Sequence, residues 1–130
     1  MNKRILGKTG LNVSEIGFGG EWLERHPEEE GVELIKYASL QGINILDCWM
    51  ADPKSRDIIG KGIKDNRSDW FIQGHIGSTW KDEQYFRTRD MKYVRPAFED
   101  LLKRLQTDYI DRGRIHYIDS EEEWEQIQQS

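Results

Sequence analysis

The stretch Gly42-Ile43-Asn44-Ile45-Leu46-Asp47 decides the fold class, because it places a short buried strand directly after a helix. Residues 27–41 before it carry apolar side chains at helical spacing, and Gly42 is the residue type that commonly ends a helix. After the strand, Pro53 suits the first position of a second helix. Strands that alternate with helices in this way indicate a parallel α/β sheet.

The same alternation extends to both sides of this stretch. Residues 3–6 and 11–13 flank Lys8-Thr9-Gly10 and predict an N-terminal β-hairpin, whereas residues 77–89 are predicted to be a polar, aromatic loop. The chain is therefore predicted to be a single domain, residues 1–130, with a hairpin followed by four β–α units. Strands are predicted at 15–20, 43–47, 70–76 and 109–117, and helices at 27–41, from 53, at 90–105 and from 120.

Composition excludes several classes of function. The formal charge is −5 and no basic cluster is present, so nucleic acid is not an expected partner. No apolar run approaches the ~18 residues of a membrane-spanning helix, and the first residues lack the apolar core of a signal peptide. The single cysteine, Cys48, cannot form an internal disulfide. These features together lead us to expect a cytoplasmic protein.

Several segments stand in a characteristic order and spacing along the chain. They are Leu6-Gly7-Lys8-Thr9-Gly10-Leu11, Val13-Ser14, Ile16-Gly17-Phe18-Gly19, Gly42 to Asp47, Gly60-Lys61, Leu102-Lys103-Arg104-Leu105, Thr107-Asp108-Tyr109-Ile110-Asp111 and His116. Taken together, they resemble the aldo-keto reductase family from about Asn2 to Asp119. The resemblance implies a (β/α) barrel, which closes eight strands over about 250 residues. Four predicted strands correspond to half of such a barrel, so the expected fold is a half TIM barrel, a (β/α)4 parallel sheet with an N-terminal β-hairpin.

The resemblance also implies an active site at the carboxyl ends of the strands, where the family uses Asp, Tyr, Lys and His. Asp47 and His116 match the aspartate and the histidine, whereas Asp52 stands in the tyrosine position and His75 in the lysine position. An aspartic acid is ordinarily ionised at neutral pH and is a poor substitute for a phenol as proton donor. Standard reductase activity is therefore not expected, and His75 or His116 remains as the alternative acid.

No cofactor site is expected in this chain. In the family, most contacts to NADPH come from the second half of the barrel, and no G-x-G-x-x-G motif replaces them here. Phe18-Gly19-Gly20 is too sparse for a dinucleotide loop, so its glycines are interpreted as close-packing residues. If the family's activity survives, NADPH is the expected cofactor.

The candidate side chains allow a second chemistry. Asp47, His75 and His116 are expected to converge at one end of the sheet, and two histidines with one carboxylate can bind a transition metal. The alternative is that both histidines are simply hydrogen-bonded.

Strand alternation makes a prediction about the inner surface of the half-barrel. If His116 faces inward, Ile110, Arg112 and Arg114 do so too. Two arginines do not fit the packed interior of a closed barrel. They fit an open surface in contact with water, or an interface with acidic groups.

A half-barrel exposes two unpaired strand edges, which commonly pair with another chain. We therefore expect a homodimer formed through the sheet edges or the inner surface, with a reconstituted eight-stranded barrel as the alternative geometry. Three functions stay open: a half-barrel without reductase activity, an NADPH-dependent oxidoreductase acting on carbonyl substrates through dimer completion, and a fragment that binds another protein through its exposed edges.

Overall fold

The predicted alternation of strands and helices is present in the computed structural model, which describes residues 1–129. Two short 3-10 turns, Leu23–Arg25 and Lys64–Asp69, complete the connections. The elements in chain order are β1 (Lys3–Ile5), β2 (Asn12–Ser14), β3 (Phe18–Gly19), α1 (Glu28–Leu40), β4 (Ile45–Cys48), α2 (Pro53–Ile63), β5 (Phe71–Ile76), β6 (Ser78–Lys81), β7 (Gln84–Arg87), α3 (Met91–Leu105), β8 (Arg112–Ile115) and α4 (Glu121–Gln129).

The centre of the fold is a four-stranded parallel sheet in the order β3-β4-β5-β8. This confirms the predicted (β/α)4 sheet, and β3 and β8 are its two edges. Its helix face carries Leu46 and Ile72, which pair in register and are fully buried. Side chains alternate along each strand, so Asp47 and Gln73, which also pair, lie on the opposite face, called here the open face.

The hydrophobic core lies entirely between the helix face and the helices. Burial of these side chains provides the main stabilisation, because fully burying a large aliphatic side chain contributes about 1.5–3 kcal/mol. Cys48 belongs to this core, as its position next to Asp47 predicts, and burial raises the pKa of its thiol to about 12. The core residues are Leu23, Ile35, Ala38, Leu46, Cys48, Ile58, Ile59, Ile63, Trp70, Ile72, Leu101 and Leu105.

Helix α2 packs between α1 and α3 because two of its glycines leave room for close approach. A Cβ on Gly60 would lie 2.1 Å from the carbonyl oxygen of Arg104, and one on Gly62 would lie 2.8 Å from the Cβ of Ile35. The helix begins as predicted, with Pro53 in its first turn. Asp52 is its N-cap, and its carboxylate accepts a hydrogen bond from the backbone N–H of Ser55 at 2.9 Å.

The hairpin β1–β2 is confirmed, and it attaches to the amino end of β4. The backbone N–H of Ser14 donates to the Asn44 side chain at 2.7 Å, and the Asn44 N–H donates to the Ser14 hydroxyl at 3.1 Å. This hairpin therefore lies at the end of the sheet opposite to the candidate site. Within residues 1–129, no helix combines the length and apolar character that crossing a membrane requires.

The predicted loop at 77–89 is wrong, because most of this segment forms the antiparallel hairpin β6–β7. Asp82 and Glu83 adopt φ values of 51° and 60°, which gives the two-residue turn that suits a hairpin. A turn of this kind usually contains glycine or asparagine. Neither residue type is present at positions 82 and 83, so the sequence gives no signal for the hairpin. Gly77, with φ of 93°, lies where the hairpin leaves the parallel sheet.

The last parallel strand is shorter than predicted, and one side chain points the other way. β8 begins only at Arg112, because the Asp111 carboxylate accepts the backbone N–H of Ile72 at 2.8 Å just before the regular ladder starts. Ile110 therefore packs into the helix-side core beside Leu101 and not on the open face. The two arginines, Arg112 and Arg114, pair with Gln73 and His75 and are exposed, as the alternation predicts.

Candidate functional site

Three of the four predicted site residues meet at the carboxyl end of the parallel sheet. Asp47 is in β4 and His75 in β5, and both belong to the open face. His116 follows β8 directly, and its backbone N–H donates to the carbonyl of Ile76 at 2.9 Å. The carboxyl end of a parallel barrel is where active sites of this fold class form.

The three side chains form a row joined by hydrogen-bonding contacts. His75 Nε2 lies 3.1 Å from Oδ1 and 3.3 Å from Oδ2 of Asp47, and His75 Nδ1 lies 2.9 Å from Nδ1 of His116. Gln73 donates its side-chain N–H to Oδ2 of Asp47, which orients the carboxylate. His75 thus bridges the carboxylate and the second imidazole.

A fourth member of the row was not predicted from the sequence. The hydroxyl of Tyr85, in β7, lies 2.6 Å from Nε2 of His116. The hairpin β6–β7 brings this phenol to the site, and register places Tyr85 opposite Trp80 in the ladder. The only sequence signal is the β-prone character of the residues on either side of Asp82 and Glu83. No local pattern indicates which strand end the hairpin reaches.

Aromatic packing fixes the ring of His116 between its neighbours. Trp49 stacks on the imidazole with an interplanar angle of 13°, and the ring of Tyr85 meets it edge-on at 82°. Tyr117 lies against the same ring at a centroid distance of 4.4 Å. Arg89 donates to the backbone carbonyl of His116 at 2.6 Å, which ties this segment to the end of the hairpin.

An open cleft of about 590 Å³ adjoins these residues, and Trp49, His75, Arg114 and His116 are part of its lining. His116 itself is 3% exposed, whereas Tyr85 is 38% exposed. The buried His116 therefore lies between partly exposed His75 and the exposed Tyr85 phenol.

The electrostatics keep His116 neutral. Its pKa is lowered to about 4, chiefly by burial, with His75, Arg89, Arg87 and Arg114 nearby as smaller causes. Burial also raises the pKa of the Tyr85 phenol above its usual value. Both groups are consequently uncharged at neutral pH.

Asp52 does not join this row. Its carboxylate caps α2, and within residues 1–129 no hydrogen bond or ion pair connects it to Asp47, His75 or His116. In this structure the Asp52 side chain acts as the N-cap of α2.

The metal alternative is not supported by the geometry. Both ring nitrogens of His75 are occupied, one by Asp47 and one by His116, so the three side chains form a line and do not surround a common point. In the part of the chain that the structure describes, no group of three His, Cys, Asp or Glu side chains is arranged to hold a metal ion.

The two glycines of β3 and its end differ in their packing. A Cβ on Gly20 would lie 2.8 Å from the carbonyl oxygen of Asp47 and 2.8 Å from Cδ1 of Ile59, whereas no atom lies within 4 Å of one on Gly19. Gly20 therefore permits close packing between β3, β4 and α2, which agrees with its interpretation as a close-packing residue.

Comparison with known proteins decides the family. The sequence profile described as "Aldo/keto reductase family" matches residues 15–129, which is most of the chain. The chain belongs to the aldo/keto reductase family. The resemblance seen in the strand-end motifs is thereby confirmed, including its restriction to the amino-terminal part of the barrel.

Named relatives of this aldo/keto reductase chain are considerably longer. It is 33% identical to the aldo-keto reductase YhdN of Bacillus subtilis, with 92% of this chain and 39% of that protein covered. It is 32% identical to an L-galactose dehydrogenase of Arabidopsis thaliana, with coverages of 89% and 38%. The chain thus spans about 39% of the length of the first relative it matches.

Solved structures give the same relationship. An aldo-keto reductase from Bacillus halodurans, in its holo form, matches with a TM-score of 0.80 and 30% identity, over 99% of this chain and 47% of that one. An aldo-keto reductase from Klebsiella pneumoniae, solved in complex with NADPH, matches with a TM-score of 0.71 but only 20% identity, which shows likeness of fold alone.

Proposed function

We propose that this chain forms the proton-transfer half of a carbonyl oxidoreductase site and has no reductase activity by itself. The row Asp47–His75–His116–Tyr85 at the carboxyl ends of the strands is the observation that carries the proposal. It joins ionisable groups that can pass a proton to one another, beside a cleft open to solvent.

Membership of the family supports carbonyl chemistry. The chain covers only 39% of its Bacillus subtilis relative, which supports the proposal that it holds only part of the reductase site. Reduction of a carbonyl needs a hydride as well as a proton. We infer that the loop at residues 18–20 does not bind the hydride donor, because Gly20 packs closely against Asp47 and Ile59. NADPH is the donor that the family implies.

The test is a chimera in which this chain is followed by the part of the Bacillus subtilis relative that it does not cover. NADPH binding, followed by the fluorescence of the bound nicotinamide, reports whether the barrel has formed. Oxidation of NADPH with a panel of aldehydes and ketones then reports activity. We expect turnover by the chimera and none by the 130-residue chain.

The matched control is the same chimera with Asp47→Asn, which keeps the size of the side chain and removes its charge. It is expected to bind NADPH and to lose most of its turnover. A chimera that binds NADPH yet reduces no substrate contradicts the proposal. So does turnover by the 130-residue chain alone.

We further propose that two copies of this chain associate through the sheet edges. Both β3 and β8 present unpaired backbone groups, and such edges favour pairing with a second chain. Exposed apolar side chains beyond the strand ends, including Tyr117 and Ile118, add surface that association would bury.

A further inference from the structure

Tyr85 offers a phenol at a site whose expected tyrosine position holds Asp52. We propose that Tyr85 is the proton donor of this site, and that His116, His75 and Asp47 form a relay that returns a proton to it. This inference rests on the proposed carbonyl chemistry but assigns the donor to a different element of the fold, the hairpin β6–β7.

One arrangement in which both imidazoles are neutral accounts for the contacts between neighbours in the row. His75 faces the Asp47 carboxylate with Nε2, which therefore carries the proton, and its Nδ1 is then an acceptor. His116 donates its Nδ1–H to that atom at 2.9 Å, which leaves His116 Nε2 as an acceptor. The Tyr85 hydroxyl donates to it at 2.6 Å.

Adding one proton to His75 reverses two of these bonds, the one between the imidazoles and the one between His116 and Tyr85. His75 then donates Nδ1–H to His116, His116 donates Nε2–H to the Tyr85 oxygen, and the Tyr85 O–H is free to donate outward. An alkoxide oxygen, as forms when a hydride donor reduces a carbonyl, takes the Tyr85 proton. Tyr85 takes the His116 Nε2 proton, and His116 takes the His75 Nδ1 proton.

The proton count of this step balances. One O–H bond forms on the product alcohol, one N–H bond of the imidazolium is lost, and both imidazoles and the phenol return to their neutral forms. The reverse sequence accepts a proton from an alcohol during oxidation. Asp47 stays a carboxylate throughout and balances the charge on His75, which lies 3.1 Å away.

Burial and charge determine which imidazole holds the extra proton. His116 has no carboxylate contact, is 3% exposed, and lies near three guanidinium groups, whereas His75 touches Asp47. The pKa of His116, about 4, agrees with this placement. The charged groups that face the pair are Asp47 from β4, Arg87 from β7, Arg114 from β8 and Arg89 after the hairpin.

Accessibility makes Tyr85 the end of the relay that reaches a substrate. The phenol is 38% exposed, beside the cleft lined by Trp49, His75 and His116, and its ring is held edge-on against Trp49 at a centroid distance of 5.7 Å. A general acid has to be within hydrogen-bonding reach of the reacting oxygen. Tyr85 contacts Trp49 and His116, which line that cleft, and we infer that its hydroxyl reaches a substrate oxygen bound there.

The first experiment uses the 130-residue chain, by long-range ¹H–¹⁵N correlation spectra of the histidine rings. We expect His116 to be neutral with its proton on Nδ1, from pH 7 down to pH 5. Tyr85→Phe should shift the His116 Nε2 resonance toward that of a free lone pair. Tyr117→Phe is the matched control, because it removes a hydroxyl from another ring neighbour of His116.

Two spectroscopic results overturn the relay. One is a His116 ring with its proton on Nε2 at neutral pH, and the other is a Tyr85→Phe spectrum with an unchanged His116 Nε2 resonance. The folded fraction of each variant is followed in the same spectra by backbone amide dispersion, so loss of structure is distinguished from loss of the hydrogen bond.

The second experiment measures kcat and KM of the chimera with Tyr85→Phe. General acid catalysis contributes about 10²–10⁴-fold, so kcat should fall by that factor while KM for NADPH stays unchanged. Reduction should also decline as pH rises, because the relay must hold its extra proton. A Tyr85→Phe chimera with undiminished kcat contradicts the assignment of Tyr85. An inactive parent chimera contradicts only the proposed function, since the spectra decide the relay independently.

Discussion

The two faces of the parallel sheet differ more than any other two regions of this chain. On the helix face, Leu46 and Ile72 are completely buried among the apolar side chains of α1, α2 and α3. On the open face, residues one position away along the same strands are Asp47 and Gln73, which exchange a hydrogen bond. Because side chains alternate along a strand, residues that stabilise the fold and residues of the candidate site are neighbours in sequence but lie on opposite faces of the sheet.

The two faces differ in whether their side chains are covered by other parts of the chain. The helix face has its full set of packing partners within residues 1–129, whereas the open face carries exposed Arg112 and Arg114 beside partly exposed Asp47. Substitutions on the helix face should therefore act on stability. Substitutions on the open face should act on proton transfer or on association.

The largest expected effect comes from truncating a core side chain on the helix face. Ile72→Ala should lower the free energy of unfolding by about 2–5 kcal/mol, because the side chain is fully buried and the cavity cannot fill completely. Urea unfolding followed by circular dichroism measures it. Arg112→Ala, on the open face of the neighbouring strand, should stay within about 0.5 kcal/mol of the parent. Equal losses in the two variants would contradict the comparison.

The next effect comes from adding a methyl group to each side of the sheet. Gly60→Ala should destabilise by about 1–3 kcal/mol or more, because the new Cβ would lie 2.1 Å from the Arg104 carbonyl oxygen. Gly19→Ala is the control on the open side, where no atom lies within 4 Å of the added group. Thermal unfolding of both variants gives the comparison, and a tolerated Gly60→Ala would mean that α2 and α3 pack less closely than described.

A smaller effect is expected at Asp52, where capping and catalysis are alternative functions. Asp52→Ala should cost about 1 kcal/mol by removing the N-cap of α2, and Asp52→Asn should retain most of that stability. Neither variant should change the His116 ring spectrum or the kcat of the chimera by more than about twofold. A large loss of kcat in Asp52→Asn would show that the carboxylate takes part in the chemistry.

The smallest effect on the structure of one chain is expected from formation of the proposed homodimer, which should leave the hydrophobic core of each copy unchanged. Sedimentation at micromolar concentration is expected to give twice the 15.4 kDa of one chain. Substituting exposed Ile118 by Lys beyond β8 should shift the equilibrium toward the monomer if the β8 edge is the interface. A 15.4 kDa particle at all concentrations would exclude the homodimer.

The sequence is sufficient to predict the parallel sheet and the convergence of Asp47, His75 and His116 at one end of it. Their elements have strong local signals, such as Gly42 at the end of a helix and Pro53 at the start of the next. Position along a strand then places Asp47 and His75 on the same face, because the side-chain period is fixed.

The remaining features depend on contacts that local patterns do not encode. Tyr85 contacts His116 because it belongs to a hairpin whose turn is formed by Asp82 and Glu83. This pair of residues is not a typical hairpin signal in a sequence. The direction of Ile110 was mispredicted because a side-chain bond from Asp111 to β5 delays the start of β8. Both cases involve hydrogen bonds between residues that are far apart in the sequence, and such contacts are not encoded in local sequence patterns.

The central claim is that this chain supplies the proton side of the reaction and not the side that binds the hydride donor. Calorimetric titration of the purified 130-residue chain with NADPH tests it most directly. The account predicts no saturable heat at millimolar NADPH, because Gly20 is closely packed against Asp47 and Ile59 and is not available to a cofactor. Saturable binding in the micromolar range would contradict it and would mean that this chain, alone or as two copies, forms a cofactor site of its own.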